Sequence, residues 1–197
     1  MSVPTEHISD NIAVKNIVNG SGAFLRIKSV VSGLDVRFPA FLTDFSQQFD
    51  ATWNTEDVFG RMDPIGTYQN TKRTMSLGFD IPAGSSDEAK NNLEKTQNLV
   101  KMVYPVYSDI EGSTILSKPP LVRGHFANLI KSEVAGDEST GLLGWISGLS
   151  WKPSLEMGMF GDGANLFPKV ISMSFSFNIL HEQTLSQDKL SKWPFGV

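Results

Sequence analysis

The stretch VISMSFSFNIL, residues 170–180, alternates apolar and polar side chains between Ile171 and Ile179. Successive side chains of a β-strand point to opposite faces, so this alternation predicts a strand with one buried and one polar face. Each apolar side chain contributes about 1.5–3 kcal/mol if it is fully buried, which makes the strand central to stability. The other face carries Ser172, Ser174 and Ser176, which need water or another polar surface to contact.

The same alternation occurs in residues 74–81, where Met75, Leu77, Phe79 and Ile81 form the apolar set. Further extended segments are predicted at 23–31, 34–41, 121–131 and 149–159. The first two are joined by Ser32-Gly33, which favours a hairpin. The glycine-rich segment 134–148 is predicted to be a loop or a short helix.

One helix is predicted, at about residues 86–104. Ser85 and Glu88 have the spacing of a capping box, in which the serine oxygen accepts the Glu88 N–H and the carboxylate reaches back. Apolar side chains then recur at intervals of three and four residues, as in an amphipathic helix. Pro105 ends the helix, because its ring disfavours helical geometry at the preceding residue.

The segment 43–70 carries aromatic side chains that fit no single period. Phe45 and Phe49 are four residues apart, which suits a helix, yet the positions 45, 47 and 49 also suit a strand. A long, aromatic segment of this kind is expected to pack against its own domain or against a neighbouring subunit. The interface candidates here include Phe49, Trp53 and Tyr68.

An Asp-Arg-Asp cluster lies within the same segment. Asp57, Arg61 and Asp63 surround Gly60 and several apolar residues, and an arginine can bridge carboxylates with a bidentate fork. Such a fork would either staple the loop within the chain or form part of a subunit contact, and the sequence leaves both open. The three residues are therefore further interface candidates.

These elements predict an α+β fold that is mainly antiparallel β. Residues 23–185 form a single β-rich domain with an extended insertion at 43–70, an N-terminal arm at 1–22 and a C-terminal tail at 186–197. A chain of 197 residues is long enough for one such domain and short for two.

Composition narrows the chemistry that the chain can perform. It has no cysteine, which excludes disulfides and thiolate zinc sites, and its three histidines lack metal-ligand spacing. No nucleophile elbow, phosphate-binding glycine loop or dinucleotide fingerprint occurs. A net charge of -4 with scattered basic residues argues against tight nucleic-acid binding, and no apolar run is long enough for a membrane helix. We expect no enzyme activity, no cofactor, no metal and no membrane partner.

Two segments resemble the tube-forming proteins of bacteriophage tails and related contractile injection machines, including the rings that join the baseplate hub to the tube. Residues 56–65 (EDVFGRMDPI), with Tyr68 and the strand 74–81, resemble the segment that precedes a sheet strand in these proteins. Residues 168–182 resemble their terminal strand. The resemblance covers residues 23–185.

This resemblance implies a β-sandwich or a partly closed barrel with one flanking helix, assembled into a homo-hexameric ring whose inner strands line a channel. Ser172, Ser174 and Ser176 would then face the lumen or the next ring, and DNA would pass without specific binding. The long insertion and the N-terminal arm favour a specialised ring at the junction of baseplate hub and tail tube, such as a tube initiator or baseplate component, contacting neighbouring tube and baseplate proteins. The protein would belong to the virion and be assembled in the host cytoplasm.

Other functions remain open at this point. A tail tube or tail-completion subunit would show the same patterns. From a different class, a monomeric β-barrel module could bind a small molecule or sugar on Trp53, Trp151 and Trp193. A hydrolase with an unrecognised site is the third possibility.

Overall fold

The computed structural model describes residues 24–39, 41–110, 113–127, 129–131, 141–162, 165–183 and 185. Within them the chain is mainly antiparallel β with a single helix, which confirms the predicted α+β class. The predicted N-terminal arm, 1–22, and C-terminal tail, 186–197, lie outside the described residues. The proposed division into segments therefore stays a prediction.

The strands follow one another along the chain with one helix between the fourth and the fifth. They are β1 (Leu25–Ser29), β2 (Asp35–Phe38), β3 (Phe41–Glu56), β4 (Ile65–Pro82), β5 (Val106–Ile110), β6 (Ser113–Lys118), β7 (Val122–Phe126), β8 (Leu142–Pro153), β9 (Met159–Asp162), β10 (Asn165–Pro168) and β11 (Val170–Ile179). Seven form one antiparallel sheet in the order β2-β1-β7-β8-β11-β4-β3. The pairs β5–β6 and β9–β10 are separate hairpins.

The two alternating segments of the sequence lie side by side in the middle of this sheet. β11 pairs with β4, so that Phe175 lies opposite Leu77 and Ser174 opposite Gly78. The apolar set of each strand is buried in one core cluster, as the alternation predicted. Ser174 is exposed on the other face.

The sheet is strongly curled. Phe38 ends β2 and Phe41 begins β3, so their Cα atoms lie no more than about 11 Å apart. Their strands nevertheless occupy opposite ends of the sheet, which would be about 29 Å apart if seven strands lay flat. The sheet must therefore bend round the core, and the ring centroids of Phe38 and Phe79 lie 5.7 Å apart across it. β2 and β3 do not pair, so the result is the partly closed form of the prediction.

Helix α1 (Ser86–Lys101) contacts β2, β9 and β10. The capping box is present: Ser85 Oγ accepts the Glu88 N–H at 3.2 Å, and the Glu88 carboxylate accepts the Gly84 N–H at 3.0 Å. The buried Asn92 side chain donates to the Pro82 carbonyl, which ties the helix to the end of β4. The helix stops at Lys101, slightly earlier than predicted.

Three sequence expectations about the strands were wrong. The predicted strand 34–41 is divided at Pro39 into the ends of β2 and β3. β8 begins at Leu142, inside the predicted loop 134–148, and ends at Pro153, so that 154–158 form a turn. The early start of β8 has a physical reason at Gly144, where a Cβ would clash with the Asn178 carbonyl oxygen. This glycine therefore marks a close approach of β8 to β11 and not a turn.

Candidate assembly surfaces

The outer halves of β3 and β4 form a projecting hairpin. The two strands are 16 and 18 residues long, against about 5–6 for an average strand. Every residue from 48 to 72 is exposed, and we call this segment the hairpin arm. At about 3.3 Å per residue, the part from Gln48 to Glu56 extends roughly 30 Å from the curled sheet. The segment 43–70, which the sequence assigned to neither helix nor strand, is therefore mostly this hairpin.

One face of the hairpin arm is aromatic, and it continues the buried face of the sheet. The register places Trp53 opposite Tyr68 and Phe49 opposite Arg73, in line with the core residue Met75. The Trp53 and Tyr68 rings meet edge to face with centroids 5.5 Å apart, and the Arg73 guanidinium lies 5.4 Å from the Phe49 ring centroid. The three aromatic rings are 41–58% exposed. Three predicted interface residues thus share one solvent-facing surface.

The other face of the hairpin arm is polar. It carries opposed pairs such as Thr52 with Asn70 and Asp50 with Lys72. This face continues the serine face of the sheet, where Ser172, Ser174 and Ser176 lie opposite Asp80, Gly78 and Ser76. Only Ser174 of the three is fully exposed. The arm is therefore amphipathic, although no other part of the described chain covers its aromatic side.

The tip of the hairpin arm, residues 56–65, presents apolar side chains directly to solvent. Phe59 and Met62 are as exposed as in an unfolded chain, at 105% and 100%. Asp57, Arg61 and Asp63 lie at this tip as the sequence suggested, but Arg61 forms no ion pair with either acid. The intramolecular fork that would staple the loop is thus not formed, and these charges remain available to a partner.

The outer edge of β3 is unpaired in the described sheet. An edge strand offers a row of backbone N–H and C=O groups to any extended chain beside it, and monomeric proteins shorten or cover such edges. Here the edge strand is 16 residues long and contains no proline. Its length and exposure suit β-pairing with another chain.

A basic cleft lies on the outer surface of β1 and β7, and the sequence analysis did not identify it. It has a volume of about 470 Å³ and is lined by Arg26, Lys28, Ser29, Val30, Gly33, Arg123 and His125. Arg26 and Lys28 occupy the outward positions of β1, between the buried residues Leu25, Ile27 and Ser29. The alternation of Arg26 and Lys28 with apolar residues in this strand was the sequence feature that could have indicated the cleft.

Two bidentate ion pairs fix the arginines of the basic cleft. The Arg26 guanidinium donates to both oxygens of Asp35, and this hydrogen bond, helped by the charges of Arg26, Arg37 and Lys28, lowers the pKa of the Asp35 carboxyl. Arg123 donates to both oxygens of Glu182 at 2.6 and 2.8 Å, which lowers the pKa of Glu182. The second pair attaches the segment after β11 to β7.

The ion pair of Asp35 predicts a dependence of stability on pH. Because the folded pKa lies below the ordinary value of 3.8, the pair stabilises the fold above that pH, and the stabilisation is lost as pH falls through the lower folded pKa. The free energy of unfolding of Asp35→Asn should therefore lie below that of the wild type at pH 7 and converge with it in acid. Urea denaturation at a series of pH values measures this. A constant difference between the two proteins would contradict the assignment.

The described residues offer no alternative site of an obvious kind. No group of three or more acidic or histidine side chains that could hold a metal ion occurs among them. None of their helices combines the length and apolarity needed to cross a membrane. Trp53 lies on the hairpin arm, and Trp151 lies in β8 opposite Met173 of β11. Trp193 is outside the described residues. Trp53 and Trp151 therefore lie on different parts of the described sheet.

Comparison with known proteins gives a likeness in structure and none in sequence. No protein-family model matches the chain, and no curated protein matches it in sequence. Among solved structures, it is similar to a chain of one described as "Tail of empty GTA particle computed with helical refinement, C6 symmetry". The identity is 10%, the TM-score is 0.36, and the match covers 82% of this chain and 93% of that chain.

Proposed function

We propose that this chain is a non-enzymatic structural subunit of a phage tail. Its copies would form a homo-hexameric ring at the junction of baseplate hub and tail tube, as a tube initiator or baseplate component. DNA would pass through the channel without specific binding. The ring would contact neighbouring tube and baseplate proteins, and the protein would be part of the virion after assembly in the host cytoplasm.

The observation that carries this proposal is the exposed hairpin arm. An isolated two-stranded ribbon is marginally stable in water, because it buries little apolar surface. This hairpin nevertheless has an aromatic face. Trp53 contacts Tyr68, Phe49 contacts Arg73, and about half of the surface of each aromatic residue is exposed to solvent. Exposed aromatic surface of this kind is typical of a protein interface. The arm thus supports an assembly role over a solitary one.

The unpaired edge of β3 supports the ring geometry. A subunit that offers an arm or edge on one side and accepts one on another makes a head-to-tail contact, and such contacts close into rings when the rotation permits. Ring closure would also remove the exposed edges that favour aggregation. The phage-tail setting itself is supported by the sequence resemblance of residues 56–81 and 168–182.

A specific surface would face the channel. The serine face is polar and uncharged at Ser172, Ser174 and Ser176, with Lys152 opposite Ser172, and hydroxyl groups would let a polyanion slide without tight binding. In this proposal the serine face lines the lumen or meets the next ring. The basic cleft lies farther along the outer face of the same sheet, on β1 and β7, and β8 separates it from β11.

Sedimentation velocity of the purified chain, with negative-stain images, tests the proposal. We expect a species of six 21.7 kDa copies with an axial hole, or assembly into such a ring when tail proteins are added. Mass spectrometry of purified particles should find the chain among the tail proteins. A monomer that remains a monomer under all these conditions, and is absent from particles, would contradict it and favour the ligand-binding alternative.

A further inference from the structure

The tip of the hairpin arm combines exposed apolar groups with negative charge. Its charged residues are Glu56, Asp57, Arg61 and Asp63, so the tip carries three carboxylates and one guanidinium. Between them, Phe59 and Met62 are fully exposed. A turn closes the tip, with the Arg61 N–H donating to the Val58 carbonyl at 3.1 Å and Gly60 at a φ of +87°. The tip is therefore a compact acidic knob with an aromatic centre.

The basic cleft has the complementary character. Three basic side chains, Arg26, Lys28 and Arg123, line it, and the carboxylates of Asp35 and Glu182 pair with Arg26 and Arg123. Among the described residues Lys28 forms no ion pair, although its charge acts on the nearby Asp35 carboxylate. Val30 lines the cleft at 50% exposure and gives it an apolar wall. A volume of about 470 Å³ lies within the range of sites that hold a small ligand, so one aromatic side chain fits.

The knob of a chain does not occupy the cleft of the same chain. Phe59 and Met62 would lose most of their exposure in the cleft, yet both are fully exposed. The knob lies at the outer end of an arm that extends roughly 30 Å from the curled sheet that carries the cleft. Contact between them therefore requires two copies.

We propose that the acidic knob of one copy docks in the basic cleft of the next, with Phe59 against Val30 and the carboxylates of Asp57 and Asp63 facing Lys28. This inference rests on the proposed assembly function and names its receptor surface. Opposite charges steer and orient such a contact, and burial of the aromatic ring supplies its free energy. Because knob and cleft are different surfaces, the contact is head to tail and propagates round a ring or between stacked rings.

The absence of cysteine from the chain makes a direct test possible. Two separately tagged proteins, one with Val58→Cys beside Phe59 and one with Ser32→Cys in the turn next to the cleft, are mixed under assembly conditions and treated with a short bis-maleimide. We expect covalent heterodimers at a yield at least about tenfold above that of Val58→Cys mixed with Lys90→Cys, whose new thiol lies at an exposed position of helix α1. Equal yields from the two mixtures would overturn the inference.

A charge exchange provides the second measurement. Lys28→Glu alone, or Asp57→Lys with Asp63→Lys alone, should weaken assembly about tenfold or more, and combining them in one chain should restore it. Lys90→Glu is the matched control and should have no effect. If rings form but neither crosslink nor charge exchange behaves as stated, the docking assignment is wrong while the proposed function stands. If the wild-type chain does not associate even when tail proteins are added, and is absent from particles, both are wrong.

Discussion

Replacing residues 51–71 with Asn-Gly is expected to abolish assembly and leave the curled sheet folded. Asp50 and Lys72 lie opposite each other, so a two-residue turn can join them without changing the register. All the residues removed are exposed, hence the melting temperature should shift by only a few degrees. Self-association should fall at least about a hundredfold, because losing one central interface aromatic typically costs about 2 kcal/mol or more. Sedimentation velocity and circular dichroism measure the two quantities.

Paired substitutions on the two faces of the hairpin arm supply the control. Trp53→Ala with Tyr68→Ala removes the opposed ring pair from the aromatic face. Thr52→Ala with Asn70→Ala removes the adjacent opposed pair from the polar face. Only the first double variant should weaken association strongly. Similar losses from both, or no loss from either, would show that the aromatic face is not the contact surface.

Phe79→Ala is expected to cost about 3–5 kcal/mol of the free energy of unfolding. The side chain is fully buried, and its ring contacts those of Phe38 in β2 and Phe175 in β11, at centroid distances of 5.7 and 6.1 Å. It therefore joins the two ends of the curled sheet through the core. For a chain of this size the melting temperature should fall by roughly 10 °C, as measured by calorimetry.

Ser174→Ala is the matched control for this substitution, since it changes the exposed face of the neighbouring strand β11. It should alter the free energy of unfolding by no more than about 0.5 kcal/mol. A cost below about 1 kcal/mol for Phe79→Ala would mean that the contact between β2 and β4 is not part of the stable core.

Local patterns in the sequence were enough to predict the central strands and the helix. The alternations in 74–81 and 171–179, and the Ser85–Glu88 capping box, each depend on neighbours a few residues apart, and the structure confirms them. The curl of the sheet could not be predicted in this way. It depends on a two-residue connection between strands at opposite ends of the sheet, and no local pattern encodes which strands become neighbours.

The candidate surfaces were predicted in part. The aromatic residues of 43–70 were identified as interface candidates because large apolar side chains among polar ones need a partner, and the structure brings Phe49, Trp53 and Tyr68 onto one face. The basic cleft was missed because its residues come from two strands, β1 and β7, which are far apart in the chain. The alternation of β1 places Arg26 and Lys28 on one face, but the sequence does not show that folding brings Arg123 beside them.

β4 extends unbroken from the tip of the hairpin arm through the core to its end at Pro82. When tension is applied to the arm along the strand, the hydrogen bonds that join β4 to β3 and β11 bear the load together in shear, rather than opening one after another like a zipper. Mechanical force entering at the arm thus reaches the most deeply buried strands of the molecule directly. A subunit with this layout resists axial pulling far better than sideways peeling.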